Sequence, residues 1–367
     1  MANLGKRGTS ELMIEFKKAT VEKIEKTQEY LQEVSLKIDH PCKRAYNYIK
    51  MTGPAKPGDV VLANTTACTL NLGTGGYHYI MANFSTCSSI ELFGQGHGMK
   101  LKYTPNQIKV LFAEEPDSPL HKKFYQMLNL KGKLIFIGEL HSMLLPLCAH
   151  IKYHSQNKKI ACIITDHGAL PVWLSQNIEL LKSKGLLESV ISIGNAFGGD
   201  YECVNIYTAL QLAANILNMD AMIITMGPGI LGTGTPFGFS GLELGFYLDL
   251  CYNKEAQVLC VPRISFRDTR SRHYGISHHF INIFKELVTK PVPIVLPYMD
   301  HNKNRYVIKQ LRDSDLLYKH PIAIRNGKNI INSLFEYGLN PTTMGRGLKD
   351  DPEFFYALGA VVEYALM

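Results

Sequence analysis

The chain has 367 residues, is 46% apolar and carries a formal net charge of +7. That length and apolar share allow one large domain or two with substantial cores, and exclude a chain dominated by disorder. The lysines are dispersed among glutamates instead of gathered in tracts, so nucleic acid is not indicated as a partner, whereas an anionic small molecule suits the balance.

Residues 1–10 are polar without an apolar core, and no stretch of some 18 apolar residues follows. The expectation is a non-exported cytoplasmic protein with no membrane partner. Eight cysteines stand at 42, 68, 87, 148, 162, 203, 251 and 260 with no Cys-x-x-Cys pair. They read as buried thiols in a reducing compartment, not as a zinc knuckle or a disulfide scaffold.

From residue 13 to about 113 the pattern is one of short strands with period-two alternation. Val34, Leu36 and Ile38 share one parity, and further strands are expected at 43–49, 59–64, 78–84 and 108–113. Asp39-His40-Pro41, Gly53-Pro54, Pro57-Gly58-Asp59 and Gly73-Thr74-Gly75-Gly76 supply turns, which suits a small barrel-like β-rich domain.

A boundary is expected near Asp117, giving domains 1–117 and 118–367. Beyond it, apolar strands at 133–137, 159–165, 189–193, 221–226, 257–261 and 293–296 alternate with helices at 141–154, 170–184, 202–217, 240–252 and 275–287. Strands apolar on both faces predict an α/β fold, a three-layer Rossmann-like domain with a mostly parallel sheet. A helical tail follows residue 301 and ends in an amphipathic segment at 353–366.

In such a sheet ligands bind beyond the carboxyl ends of the strands. The segments following the strands are polar: Gly138-Glu139-Leu140-His141-Ser142, Asp166-His167-Gly168, Gly194-Asn195 through Gly199-Asp200, and Arg263-Ile264-Ser265-Phe266-Arg267-Asp268. The richest follows residues 221–226, where Gly227, Gly229, Gly232, Gly234, Gly238 and Gly241 fall within fifteen residues. Its backbone N–H groups, with Thr233 and Thr235, suit an anion, and a helix starting near Ser240 would aim its free donors the same way. Gly227-x-Gly229-x-x-Gly232 formally matches a dinucleotide fingerprint, yet the loop is long, contains Pro228 and Pro236, and the next strand ends in Arg263, not an acid. A dinucleotide, another anion or nucleotide, and a purely structural loop all remain open.

Arg263, Arg267, Arg270 and Arg272 form a basic stretch whose forks suit phosphate or carboxylate. Ser277-His278-His279 offers a proton donor or metal ligand, against the plainer reading of one surface and one packed histidine. Glu139, His141, Asp166, His167 and Asp200 are candidates for acid–base or metal chemistry, although Asp166 and Asp200 also suit helix caps. His150 and His154 share a helical face but read as an exposed stripe beside lysines. No Gly-x-Ser-x-Gly is present, and Ser240 reads first as an N-cap.

Across Pro57-Gly58-Asp59, residues 72–78, Gly96-His97, Met99-Lys100, Tyr103-Thr104-Pro105, Leu140-His141-Ser142-Met143, Thr165-Asp166, residues 196–200, residues 227–241 and Ser277-His278-His279, the chain closely resembles a bacterial family known as domain of unknown function 3866. The resemblance implies no established activity, substrate or cofactor. The family pattern has a small residue where His167 stands, which favours Asp166 over His167 as a site residue.

The preferred expectation is a small-molecule enzyme binding a phosphate- or carboxylate-bearing ligand in the crevice between the domains. Gly227, Gly229, Gly232, Thr233, Gly234 and Thr235 would hold the anion. Arg263 and Arg267 would clamp it, with His278 nearby, and His141, Asp166 or Asp200 would move protons. The alternatives are a non-catalytic ligand sensor or regulatory module, and a metal-dependent hydrolase. No metal site is assigned, the cofactor is unknown, and self-association is left open.

Overall fold

The computed structural model describes residues 13–73, 75–86, 92, 94–366. The polar start, Thr74 of the glycine turn and Cys87 lie outside the described residues. The chain divides into two compact units, Met1–Gly94 and Gln95–Met367.

The first unit is a closed five-stranded barrel of β1 (Phe16–Thr27), β2 (Leu31–Lys37), β3 (Arg44–Tyr48), β4 (Val60–Asn64) and β5 (His78–Asn83), with short helices α1 (Ile49–Thr52) and α2 (Thr66–Thr69). The order is β1-β2-β3-β5-β4, closed by the antiparallel pairing of β4 with β1. Sequence reading missed β1 as a discrete strand because lysine and glutamate make up half of it. Ala19 and Val21 are buried in the core with Ile24 packed against it, and register shifts after Val21 and Ile24 bend its twelve residues far enough to pair on both edges. Val34, Leu36, Ala45, Val61, Ala63 and Ile80 fill the interior.

The second unit begins with a hairpin of β6 (Gly98–Lys100) and β7 (Ile108–Val110). Its membership explains why the division falls at Gly94 and not near Asp117. Lys100 is buried, with Nζ 2.7 Å from Glu202 Oε2 and donating to the carbonyls of Ser192 and Ala196 at 3.2 and 2.5 Å. A buried ammonium is tolerable only with such partners, so the hairpin is tied to the α/β unit.

The main elements then follow as β8 (Leu134–Gly138), α3 (Leu144–His154), β9 (Ile160–Thr165), α4 (Gln176–Ser183), β10 (Ser189–Ser192), β11 (Tyr201–Glu202), α5 (Ile206–Gln211), β12 (Ala221–Met226), α6 (Leu244–Asn253) and β13 (Gln257–Cys260). After them come β14 (Ile264–Ser265), β15 (Gly275–Ile276), α7 (His278–Glu286), β16 (Ile294–Pro297), α8 (His301–Asp313), α9 (Leu316–Lys319), β17 (Ile322–Arg325), α10 (Ile330–Glu336) and α11 (Pro352–Leu366). Six strands form an all-parallel sheet in the order β11-β10-β9-β12-β8-β13.

Both faces of that sheet are covered. Ile135, Ile137, Ile163, Met222 and Ile224 enter one core, while Phe136, Cys162, Ile164 and Ile223, alternating with them, enter the other. The α/β layering follows from this two-sided burial.

Several expectations shift. Glu202 is in a strand, and the helix expected from 202 starts at Ile206 behind an Asn205–Thr208 capping box. β16 pairs with β17 in a separate two-stranded sheet instead of joining the main one. α11 is not amphipathic in situ: eleven of its fifteen residues are buried, including Glu353 and Glu363, because it packs against β16, α3 and α10. Among the described residues, no helix is long and apolar enough to cross a membrane.

Candidate functional site

β12 lies between β8 and β9, although it comes much later in the chain. The chain leaving β8 and β9 contributes α3 and α4 to one core, whereas that leaving β12 contributes α6 to the opposite core. The crossover direction therefore reverses on both sides of β12, which places a topological switch at the exit of β12, where the glycine loop begins. In sheets that bind dinucleotides the first strands run outward in succession. Here β8 and β9 are separated.

The glycines serve several distinct purposes. A Cβ on Gly227 would meet the Ala169 carbonyl at 2.1 Å and one on Gly168 would meet Gly227 O at 2.2 Å, with Ala169 N donating to Pro228 O at 2.8 Å. This pair of glycines lets the loops after β9 and β12 cross backbone to backbone. Gly232 bridges Phe239, Thr233 N donates to Gly238 O at 2.8 Å, and Thr233 Oγ1 lies 2.9 Å from Thr235 Oγ1, so residues 232–239 form their own tight hairpin. Gly229, at φ +98° with open space around its α-carbon, Gly234, at φ +83°, and Gly241, at φ +93°, are the three whose backbone favours glycine. Ser240 does not cap a helix. Its hydroxyl accepts from Leu231 N, and α6 begins later with Glu243 at its N-cap, whose carboxylate makes no capping hydrogen bond and lies by Thr165 and His167.

Two arginines of the basic stretch, Arg263 and Arg270, are neutralised within the protein. Arg263 is 3% exposed and lies 3.2 Å from Asp268 Oδ2 and 3.5 Å from Glu139 Oε1, which removes it as a ligand clamp. Arg270 binds the same Asp268 through Nε at 2.9 Å and Nη2 at 2.7 Å. The Arg270 hydrogen bonds come first among the causes that hold the Asp268 carboxyl far below the usual range. Arg267 and Arg272 are exposed and their side chains have no hydrogen bond or ion pair among the described residues.

Beside Arg263 a histidine cluster forms that sequence reading saw only in part. His273, His278 and His279 place ligand-capable atoms within 4.8 Å of one another. Their spacing, three imidazoles within seven residues, was the available signal. His279 is 4% exposed, stacks on Phe239 with centroids 3.9 Å apart, and sets Nδ1 3.4 Å from Glu139 Oε1 without hydrogen-bond alignment. His273 Nδ1 lies 2.9 Å from Ser277 Oγ, and His278 Nε2 is buried without a partner among the described residues. Burial, aided by neighbouring positive groups, holds His273 and His278 down to about 3 and about 4, so both are neutral near pH 7. Burial alone would push Glu139 up, but His279 and Arg263 outweigh it and keep the carboxyl below its ordinary value.

The other proton-transfer candidates separate. His141 is buried between the Met226 carbonyl, 3.0 Å from Nδ1, and Ser175 Oγ, 2.6 Å from Nε2, and burial lowers it to about 4. It joins β8, the N-cap of α4 and the glycine loop. Asp166 accepts from Asn195 N at 2.9 Å and lies 3.9 Å from His167 Nε2, which is itself 3.5 Å from Glu243 Oε2. Glu243 was missed because nothing in its local sequence links it to β9. Burial raises its pKa. Asp200 lies elsewhere: it accepts from Val190 N at 2.7 Å, near the amino end of β10, and pairs with Lys182. It neither reaches the rim nor caps a helix.

In the barrel unit a cavity of about 490 Å³ is lined by residues including His40, Cys42, Cys68 and Thr69, and Cys42, Cys68 and His78 place ligand-capable atoms within 4.8 Å. His78 Nε2 lies 3.1 Å from the Cys42 carbonyl, and Cys42 Sγ lies 2.8 Å from the Gly76 carbonyl.

Fold and rim together define a two-unit α/β protein in which a closed barrel precedes a parallel sheet with a histidine-rich carboxyl edge. The chain belongs to the family described as protein of unknown function (DUF3866), whose sequence model matches residues 44–362. Comparison with curated proteins and with solved structures finds no match.

Proposed function

We propose that this protein is a metal-assisted enzyme acting on an anionic small molecule at the carboxyl rim of the main sheet. His273, His278 and His279 would hold a divalent cation, and the outer part of the glycine loop with Arg272 would hold the anion. One juxtaposition supports the reading above all. A Cβ built on Gly232 lies 3.6 Å from His279 Nε2 and one on Gly234 lies 3.8 Å from Arg272 Nη1, so backbone donors, imidazoles and an uncommitted guanidinium are immediate neighbours.

Three imidazoles with a carboxylate beside one of them are the donor set of a catalytic Zn²⁺-type centre, which would supply an activated water or polarise a carbonyl or phosphoryl oxygen. Glu139 would orient His279. Asp166, with His167 and Glu243, is the group left to carry protons, since His141 and Asp200 are committed to structural contacts. Cys148, Cys162, Cys203, Cys251 and Cys260 are buried thiols, which supports a cytoplasmic setting.

The test is metal content together with thermal stability of the whole protein, using inorganic phosphate as probe. Phosphate at about 100 times its dissociation constant should add roughly 2.7 kcal/mol. Arg272→Ala should lose the phosphate response but keep the metal, and His278→Ala should lose the rim metal. A divalent uptake indifferent to His278→Ala in a folded protein would sink the proposal.

A further inference from the structure

Away from the rim, α3 and α11 bring a second set of metal-type donors together. His150 and His154 stand one turn apart on α3, and Glu363 lies near the end of α11. The two Nε2 atoms lie 3.5 and 3.2 Å from Glu363 Oε1, and the ligand-capable atoms of all three residues fall within 4.8 Å. Contrary to the exposed stripe expected from sequence, His150 is fully buried.

The hydrogen bonds favour one tautomer of His150. Ser333 Oγ donates to the Ile330 carbonyl at 2.8 Å, so at 3.1 Å from His150 Nδ1 it is left as an acceptor and Nδ1 carries the proton. The Nε2 of His150 is then a bare lone pair, buried and without a hydrogen-bond partner, directed at a carboxylate oxygen that is also an acceptor. Two acceptors facing each other in a dry site repel unless a cation lies between them. Asn329 Nδ2, donating to the same oxygen at 3.1 Å, holds the carboxylate in place.

We propose that His150, His154 and Glu363 form a second divalent-cation site, of the borderline Zn²⁺ type, that pins α3 to α11. Two imidazole nitrogens and one carboxylate oxygen suit such an ion, with water at the remaining position on the partly exposed side of His154. The role is structural. A metalloprotease helix would carry Glu directly after the first histidine, and Ile151 stands there. The assignment does not depend on the rim site.

The experiment uses the full chain carrying His278→Ala and Cys42→Ser, so that the rim cluster and the Cys42, Cys68 and His78 cluster of the barrel are already broken. It is stripped with chelator, checked for folding by circular dichroism, and titrated with Zn²⁺ by calorimetry and thermal melting. One tight equivalent and a rise in Tm are expected. Adding His154→Ala, at a partly exposed position that should leave folding intact, should weaken that binding at least 100-fold and remove the rise in Tm, and Glu363→Gln should do the same. Absence of Zn²⁺ uptake overturns the site, as does uptake that survives His154→Ala. Imidazole NMR showing His154 protonated on Glu363 in the presence of excess Zn²⁺ overturns it too.

Discussion

Charged side chains buried in this protein come in sets whose members cannot be removed singly. Arg263 lies between Glu139 and Asp268, Ser265 Oγ donates to the fully buried Asp351 at 2.6 Å, and Arg346 Nε reaches the same carboxylate at 3.0 Å. Arg263→Ala should therefore destabilise the fold by about 3–5 kcal/mol in urea unfolding, because Glu139 is left buried without its guanidinium while Asp268 keeps Arg270. A loss below about 1 kcal/mol would mean that water replaces the guanidinium. At the crossing of the two loops, Gly168→Ala places a methyl 2.2 Å from a carbonyl oxygen that cannot swing away as a side chain could. The expected cost is about 1–3 kcal/mol, read by the same unfolding measurement, and it would fall on stability even if the loop bound no ligand.

Elements were legible in proportion to how far their own residues decide them. β8, β9, β10, β12 and β13 are short apolar runs that only a sheet covered on both sides can absorb, so their positions follow from pattern. β1 was illegible because a barrel strand with one wet face can be half lysine and glutamate. The start of α6 was misplaced because Ser240, a good cap by type, is occupied by Leu231 N in the hairpin. The start of α5 has an unambiguous cap: Asn205 Oδ1 accepts from Tyr207 N at 2.9 Å and Thr208 N at 3.1 Å. Asn205→Ala should cost about 1 kcal/mol, and an unchanged denaturation midpoint would count against that cap.

At the scale of the whole molecule, the buried His141 should make stability fall on the acid side. Burial lowers His141 from 6.5 to about 4, so the unfolded chain takes up that proton first as the pH falls. Its contribution is fully present above pH 6.5 and drains away toward pH 4, a loss of about 3 kcal/mol. Unfolding free energies measured between pH 7 and 4 should show this slope, and His141→Gln should flatten it. An identical slope in the variant would assign the acid sensitivity to other groups.

The local sequence determined that the apolar runs of β8, β9, β10, β12 and β13 become strands, that the first unit and the α/β unit differ in kind, and that the exit of residues 221–226 is glycine-rich, since apolar periodicity and turn chemistry act over a few residues. Tertiary structure alone decided that Arg263 is consumed by Glu139 and Asp268, that Asp200 stays away from the rim, and that His273 joins His278 and His279. Those outcomes depend on which distant group occupies the same dry volume, because a buried charge or imidazole takes its state from its neighbours in space.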